Sequence, residues 1–127
     1  MVITQYRANR KPSGGRYIPS RSKRQQEIGR KAALTKIDEK RTKSIRTKGG
    51  GRKTTTLRTD TVNLYDPKTK KYSQAKIKTV VDSKANRHFI RRNIITKGAV
   101  VETDQGKAKI TSRPGQEGAV NAILVQE

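Results

Sequence analysis

The 127-residue sequence predicts an all-β protein: a small β-barrel of about six short strands with an extended basic N-terminal arm. Three observations predict it. From about Leu34 onward, short β-branched runs alternate with turn residues, and little of the chain reads as helix. Apolar residues are unevenly spread: of 24 Leu, Ile, Val and Phe, 7 fall in residues 1–53 and 17 in 54–127. Charge runs the opposite way, at +14 for 1–53, +7 for 54–96 and zero for 97–127, for a total of +21. A segment so poor in apolar groups cannot offset the entropy of its own ordering. The expected division is therefore an arm over 1–31, ordered by a strongly negative partner, and a barrel over 32–127.

In chain order, residues 1–21 read as irregular and extended. Helix formers gather from Ser22 to Ala33, with Ser22 placed as an N-cap and Gly29 as a stop. Ile28 is their only large aliphatic residue, so the pattern predicts a helical turn or two and no more. Leu34–Ile37 and Thr42–Thr47 have strand character and are followed by Gly49-Gly50-Gly51. A Thr-rich run spans Lys53 to Tyr65. Leu57 and Val62 within it are an odd number of residues apart, so one strand face carries both only across a bulge.

Asp66–Lys71 has turn chemistry. In the strand after it, Ala75, Ile77, Thr79 and Val81 are expected to face inward, with Lys76 and Lys78 outward. A turn over Asp82–Asn86 and a mixed connector over 86–95 lead to two strands, Ala99–Asp104 and Lys107–Ser112. Gln105-Gly106 is the expected two-residue hairpin loop between them. Ala108 and Ile110 alternate with lysines, so Ile110 is expected in the core. After the turn at 113–118, Ala119–Val125 is apolar on both faces, as a closing strand would be.

Composition also excludes function classes. There is no cysteine and His88 is the only histidine, so a Cys–His pair or a His-rich metal site cannot be built. No serine lies in a G-x-S-x-G context. Asp60, Asp66, Asp82, Glu102 and Asp104 form no acidic pair of recognisable spacing. The expectation is no enzyme, no cofactor and no metal. No apolar run approaches membrane-spanning length, and no signal-peptide core follows Met1, so the protein is expected in the cytoplasm with no membrane partner.

Three clusters carry the charge. Residues 10–24 contain Arg10, Lys11, Arg16, Arg21, Lys23 and Arg24 without one acidic residue. Mixed charges would serve solubility better than this. Guanidinium and ammonium groups suit phosphate oxygens, and Ser13, Gly14 and Gly15 let backbone amides come close to them. Tyr17 is placed either to stack on an unpaired base or to pack on its own domain. Arg7, Arg30 and Lys31 extend the same basic surface. The second cluster, Lys48, Gly50, Arg52 and Lys53, resembles a phosphate-approaching loop but lacks the nucleotide-binding G-x-x-x-x-G-K-[ST] spacing; a plain hairpin loop is the alternative. In the third, Arg87, Arg91, Arg92 and Lys97 lie beside Phe89, Ile90, Ile94 and Ile95, so folding would fix those cations on a rigid surface.

Read together, four segments resemble one known family. They are Lys11-Pro12-Ser13-Gly14-Gly15-Arg16 with the basic run to Arg30, then Gly49-Gly50-Gly51-Arg52-Lys53, then Asn86 to Ala99, and Thr111 to Gly118. The resemblance is to the archaeal and eukaryotic small-subunit ribosomal protein family numbered eight-e, distinct from bacterial small-subunit protein eight. The chain is similar to the archaeal form, and departs from it at Tyr6, where the family usually has glycine. The resemblance implies a barrel with an N-terminal arm, located in the cytoplasmic ribosome. Its implied partners are small-subunit ribosomal RNA and neighbouring small-subunit proteins, with no small-molecule substrate and no independent homo-oligomer. A non-specific nucleic-acid chaperone or DNA-compacting protein is the rival reading.

Overall fold

A computed structural model describes residues 3–125. The chain divides into two units, Met1–Ala32 and Ala33–Glu127.

In the first unit, β1 (Ile3–Thr4) pairs antiparallel with β2 (Ile28–Gly29), Ile3 opposite Gly29 and Thr4 opposite Ile28. Gln5 N–H extends the pairing by donating to the Glu27 carbonyl at 2.9 Å. Two short strands thereby tie residues 5–27 into a closed loop. Its helical content is a single 3₁₀ turn, Gln25–Glu27, preceded by Arg24 rather than Ser22, and Gly29 lies in a strand instead of ending a helix. The reason is physical: with Ile28 alone no apolar face exists to hold a longer helix, and the chain instead takes up the strand pairing of Ile28.

In the second unit, the expected strand at Leu34–Ile37 does not form. Leu34 adopts a positive φ of 48°, and Lys36 makes only isolated bridges, to Arg58 and Ile94. A two-stranded ribbon follows, β3 (Arg41–Arg46) antiparallel to β4 (Arg52–Arg58). The chain then builds β5 (Thr61–Asp66), β6 (Lys71–Asp82), the short helix α1 (His88–Arg91), β7 (Val100–Thr103), β8 (Gly106–Ile110) and β9 (Asn121–Leu124). Strands β5 to β9 form a closed barrel in sequence order. It is sealed by a parallel pairing of β9 with β5, in which Asn63 lies opposite Asn121 and Tyr65 opposite Ile123. The barrel therefore has five strands, with the ribbon supplying two more.

Several local expectations need correction. The Thr-rich run is two strands, broken at Thr59-Asp60, so Leu57 and Val62 never share a face and no bulge between them is needed. In β6, Ala75 and Ile77 are buried, but the register against β7 slips between Ile77 and Thr79. Val80 turns inward as a result, leaving Thr79 and Val81 outside. The β7–β8 loop is Asp104-Gln105: Gly106, at φ 124°, already pairs with Thr103. Ile123 of β9 is 40% exposed although Ala122 beside it is buried, so this strand hides one face only.

The core is built from Val62, Leu64, Ile77, Val80, Ile95, Val101, Ile110 and Val120 with four alanines. Buried threonines extend it. Thr35 Oγ1 donates to the Thr56 carbonyl at 2.6 Å, Thr55 Oγ1 to the Gly115 carbonyl at 3.0 Å, and Thr56 Oγ1 to the Glu117 carbonyl at 3.1 Å. The last two bonds seat the 113–118 turn on β4, and all three let hydroxyls be buried without penalty.

Candidate nucleic-acid interface

The first basic cluster is organised by a β-turn. Gly14 N–H donates to the Lys11 carbonyl at 2.9 Å across Pro12-Ser13, and Lys11 N–H donates to Gly15 at 2.8 Å. Pro12 presets the φ of the turn's second position, and Gly14 supplies the φ of 86° that the exit requires. Arg10 and Arg16 face each other across this miniature hairpin, and Arg10 Nη1 donates to the Gly14 carbonyl at 2.8 Å. Gly14's own amide is thus committed to the turn. The amides of Ser13 and Gly15 donate to no acceptor among the described residues.

Around the turn, aromatic rings and cations interleave. The Arg7 guanidinium lies 4.2 Å from the Tyr17 ring centroid and 6.0 Å from that of Tyr6, Lys11 Nζ lies 5.7 Å from Tyr17, and Arg21 lies 5.4 Å from Tyr6. Such contacts hold cations in place without neutralising them. Arg7, Arg10, Arg16, Arg21 and Lys23 line one groove of about 820 Å³ with both tyrosines. Tyr17 therefore packs within its own unit while keeping 36% of its surface exposed. Arg24, Arg30 and Lys31 are exposed outside that groove.

Glu27 is the single acidic residue among the first 37. It pairs with Arg21 and accepts from the Arg24 N–H at 3.3 Å. The hydrogen bond from Arg21, helped by that amide, holds its carboxyl below the usual range and raises Arg21 in turn.

The second cluster caps the β3–β4 ribbon. Lys48 and Gly50 lie in its loop, where Gly49 and Gly50 take φ values of 75° and 84°, and Arg52 and Lys53 open β4. The hairpin places Arg46 opposite Arg52 and Lys53 opposite Ile45. Arg46 is a member of this cluster that its place in the sequence, outside the glycine-flanking cations, does not mark. Its signal is the loop itself, because a glycine loop centred near residue 49 pairs residues equidistant from it. Tyr6 is likewise marked in the sequence only as a departure from a pattern, and not as a ring between two guanidiniums.

The third cluster rides on α1. Asn86 Oδ1 accepts the His88 N–H at 2.9 Å, and Ile94 N–H returns to the Phe89 carbonyl at 3.0 Å, closing the turn. Asn93, at φ 48°, accepts the Val80 N–H at 3.3 Å through Oδ1 and ties the turn to β6. Ile94 and Ile95 are buried and Ile90 packs on the core, whereas Arg87, Arg91, Arg92 and Lys97 are exposed. Arg87 and Arg91 are four residues apart and so share one helix face. None of these four cations lies within ion-pair distance of a carboxylate among the described residues. No group of three or more potential metal-ligating side chains occurs among the described residues either.

The chain is similar to known proteins over nearly its whole length. The family model for ribosomal protein S8e matches residues 4–125. A small ribosomal subunit protein eS8 from Methanobrevibacter smithii is 49% identical over 125 residues, which is 98% of this chain and all of that protein. The eS8 proteins of Methanosarcina barkeri and Methanococcus aeolicus are 50% and 49% identical, over 94% and 100% of this chain and 95% and 100% of their own lengths.

Proposed function

The chain belongs to the ribosomal protein S8e family, and from that premise we propose that it is a structural, non-catalytic component of the archaeal small ribosomal subunit that binds folded ribosomal RNA. The observation that carries the RNA-binding part is the third cluster. Four cations without carboxylate partners among the described residues are held on a turn that the barrel core fixes in place. The barrel presents these charges rigidly. The N-terminal unit presents its own through ring-supported guanidiniums, with Arg10, Lys11, Arg16, Arg21, Lys23 and Arg24 as phosphate ligands. Lys48, Arg52 and Lys53 at the ribbon tip add a further contact, in which Arg46 joins Arg52. Arg7 lies against both the Tyr6 and the Tyr17 ring, and Arg30 and Lys31 continue the basic surface beyond β2.

Such contacts hold phosphates, so selectivity comes from the shape of the folded RNA. Each neutralised phosphate releases counterions; roughly six to ten contacts would cost on the order of a thousandfold in affinity between low and moderate salt. The test is competition between small-subunit ribosomal RNA fragments and duplex DNA at matched salt. A marked preference for the ribosomal RNA supports the reading, and equal affinity for the two would establish the non-specific chaperone instead.

A further inference from the structure

One surface of the barrel differs from the rest of this cationic protein. On the outer face of β6, β5 and β9, the strand registers align two uncharged rows. Gln74, Asn63 and Asn121 make the first, and Tyr72, Tyr65 and Ile123 the second. The amides are laddered: Gln74 Nε2 donates to Asn63 Oδ1 at 3.5 Å, and Asn63 Nδ2 donates to Asn121 Oδ1 at 3.0 Å. The two rings lie 4.9 Å apart and tilted by 38°. Tyr65 is half-buried beneath the arrangement, while Tyr72 is 80% exposed. The rows enclose an open cleft of about 610 Å³.

We propose that this cleft binds an unpaired nucleobase of a single-stranded RNA segment, with the Tyr72 ring as the stacking platform and the Asn63–Asn121 amide ladder reading the base edge. The proposal rests on the RNA-binding reading above and adds a base contact to what is otherwise phosphate neutralisation. An exposed ring braced by a second ring suits any base face, and the free ends of an amide ladder offer both donors and acceptors to its edge. Charge complementarity selects the occupant. Lys76 and Lys109 border the rows on the same outward face, and Lys70 in the adjoining turn and Lys71 at the start of β6 lie where they meet the phosphates flanking a stacked base. The carboxylate of that turn, Asp66, is directed into its own loop, accepting from the Lys68 N–H and the Thr69 hydroxyl at 2.9 Å each. Enzymatic use of the cleft is disfavoured by its lining, which contains no acid, base or nucleophile beyond hydroxyls and amides.

The test compares a single-stranded RNA hexamer with an abasic chain of equal length and charge, titrated into the full-length protein and its Tyr72→Ala and Tyr72→Phe variants. The expected result is tighter binding of the hexamer than of the abasic chain, with the side-chain amide signals of Asn63 and Asn121 shifting on titration. Tyr72→Ala should lose about five- to a hundredfold in hexamer affinity, and Tyr72→Phe should retain it. Equal binding of both chains, or an unchanged affinity in Tyr72→Ala, would overturn the base site while leaving ribosomal RNA binding through the basic clusters intact. Protection of Tyr72 from iodination in assembled subunits, without hexamer-induced shifts, would assign the cleft to a protein neighbour and equally overturn the proposal.

Discussion

The Arg7 guanidinium sits 4.2 Å from the centroid of the Tyr17 ring and also donates to the Ile18 carbonyl at 3.3 Å. One side chain therefore fixes the position of the segment leaving the Lys11–Gly14 turn. An exposed contact of this type is worth about 0.5–1 kcal/mol. Tyr17→Ala should weaken binding to small-subunit ribosomal RNA by roughly two- to fivefold at constant salt. Tyr17→Phe should bind as the parent does. Filter binding on the three proteins decides it.

Glu27 provides a pH test with a definite sign. Its folded pKa lies below the ordinary carboxylate value, chiefly because Arg21 donates to it. Its contribution is complete above the unfolded pKa and is lost as pH falls through the lower, folded value. Acidification below about pH 4.3 should progressively release Arg21 and the 24–27 turn. The Arg24 amide resonance, which reports the bond to Glu27, should move with that titration. Glu27→Gln should abolish the movement.

Ile110 is 1% exposed, between the outward-facing Lys109 and Thr111. Truncation to alanine should cost about 2–5 kcal/mol and lower the melting temperature by at least about 8 °C. Ile110→Asp would bury a carboxylate with no partner and should leave no cooperative transition. Circular dichroism melts give both answers.

Replacing Arg87, Arg91 and Arg92 together by glutamine should leave the melting temperature nearly unchanged, because all three are exposed and unpaired among the described residues. The same variant should flatten the salt dependence of ribosomal RNA binding, reducing the logarithmic slope by about two to three. An unaltered slope would remove α1 from the interface.

The sequence made the barrel legible because Ala75, Ile77, Ala108 and Ile110 alternate with lysines, a pattern that only a half-buried strand requires. It hid what depends on register. Nothing in Thr79-Val80-Val81 announces that a slip sends Val80 inward, since all three residues suit either face of a strand. The threonine part of the interior was hidden for a related reason. Thr35, Thr55 and Thr56 read as surface until their hydroxyl acceptors, supplied by segments as far away as Glu117, are known. For the candidate interface, the basic runs were plain in the sequence. The cross-strand partners were not: Arg46 acquires its place only through the hairpin, and Tyr6 only through Arg7 and Arg21 folding around it.

Closure of the barrel by Asn63 against Asn121 carries a consequence for biosynthesis. The ring cannot shut until β9 has cleared the translating ribosome's exit tunnel, whereas the cationic first unit, whose own strands are only about two dozen residues apart, emerges far sooner. A nascent chain of this protein therefore exposes its most adhesive part while its scaffold is still unfinished. Any polyanion near the tunnel mouth competes for it before the correct site can be reached.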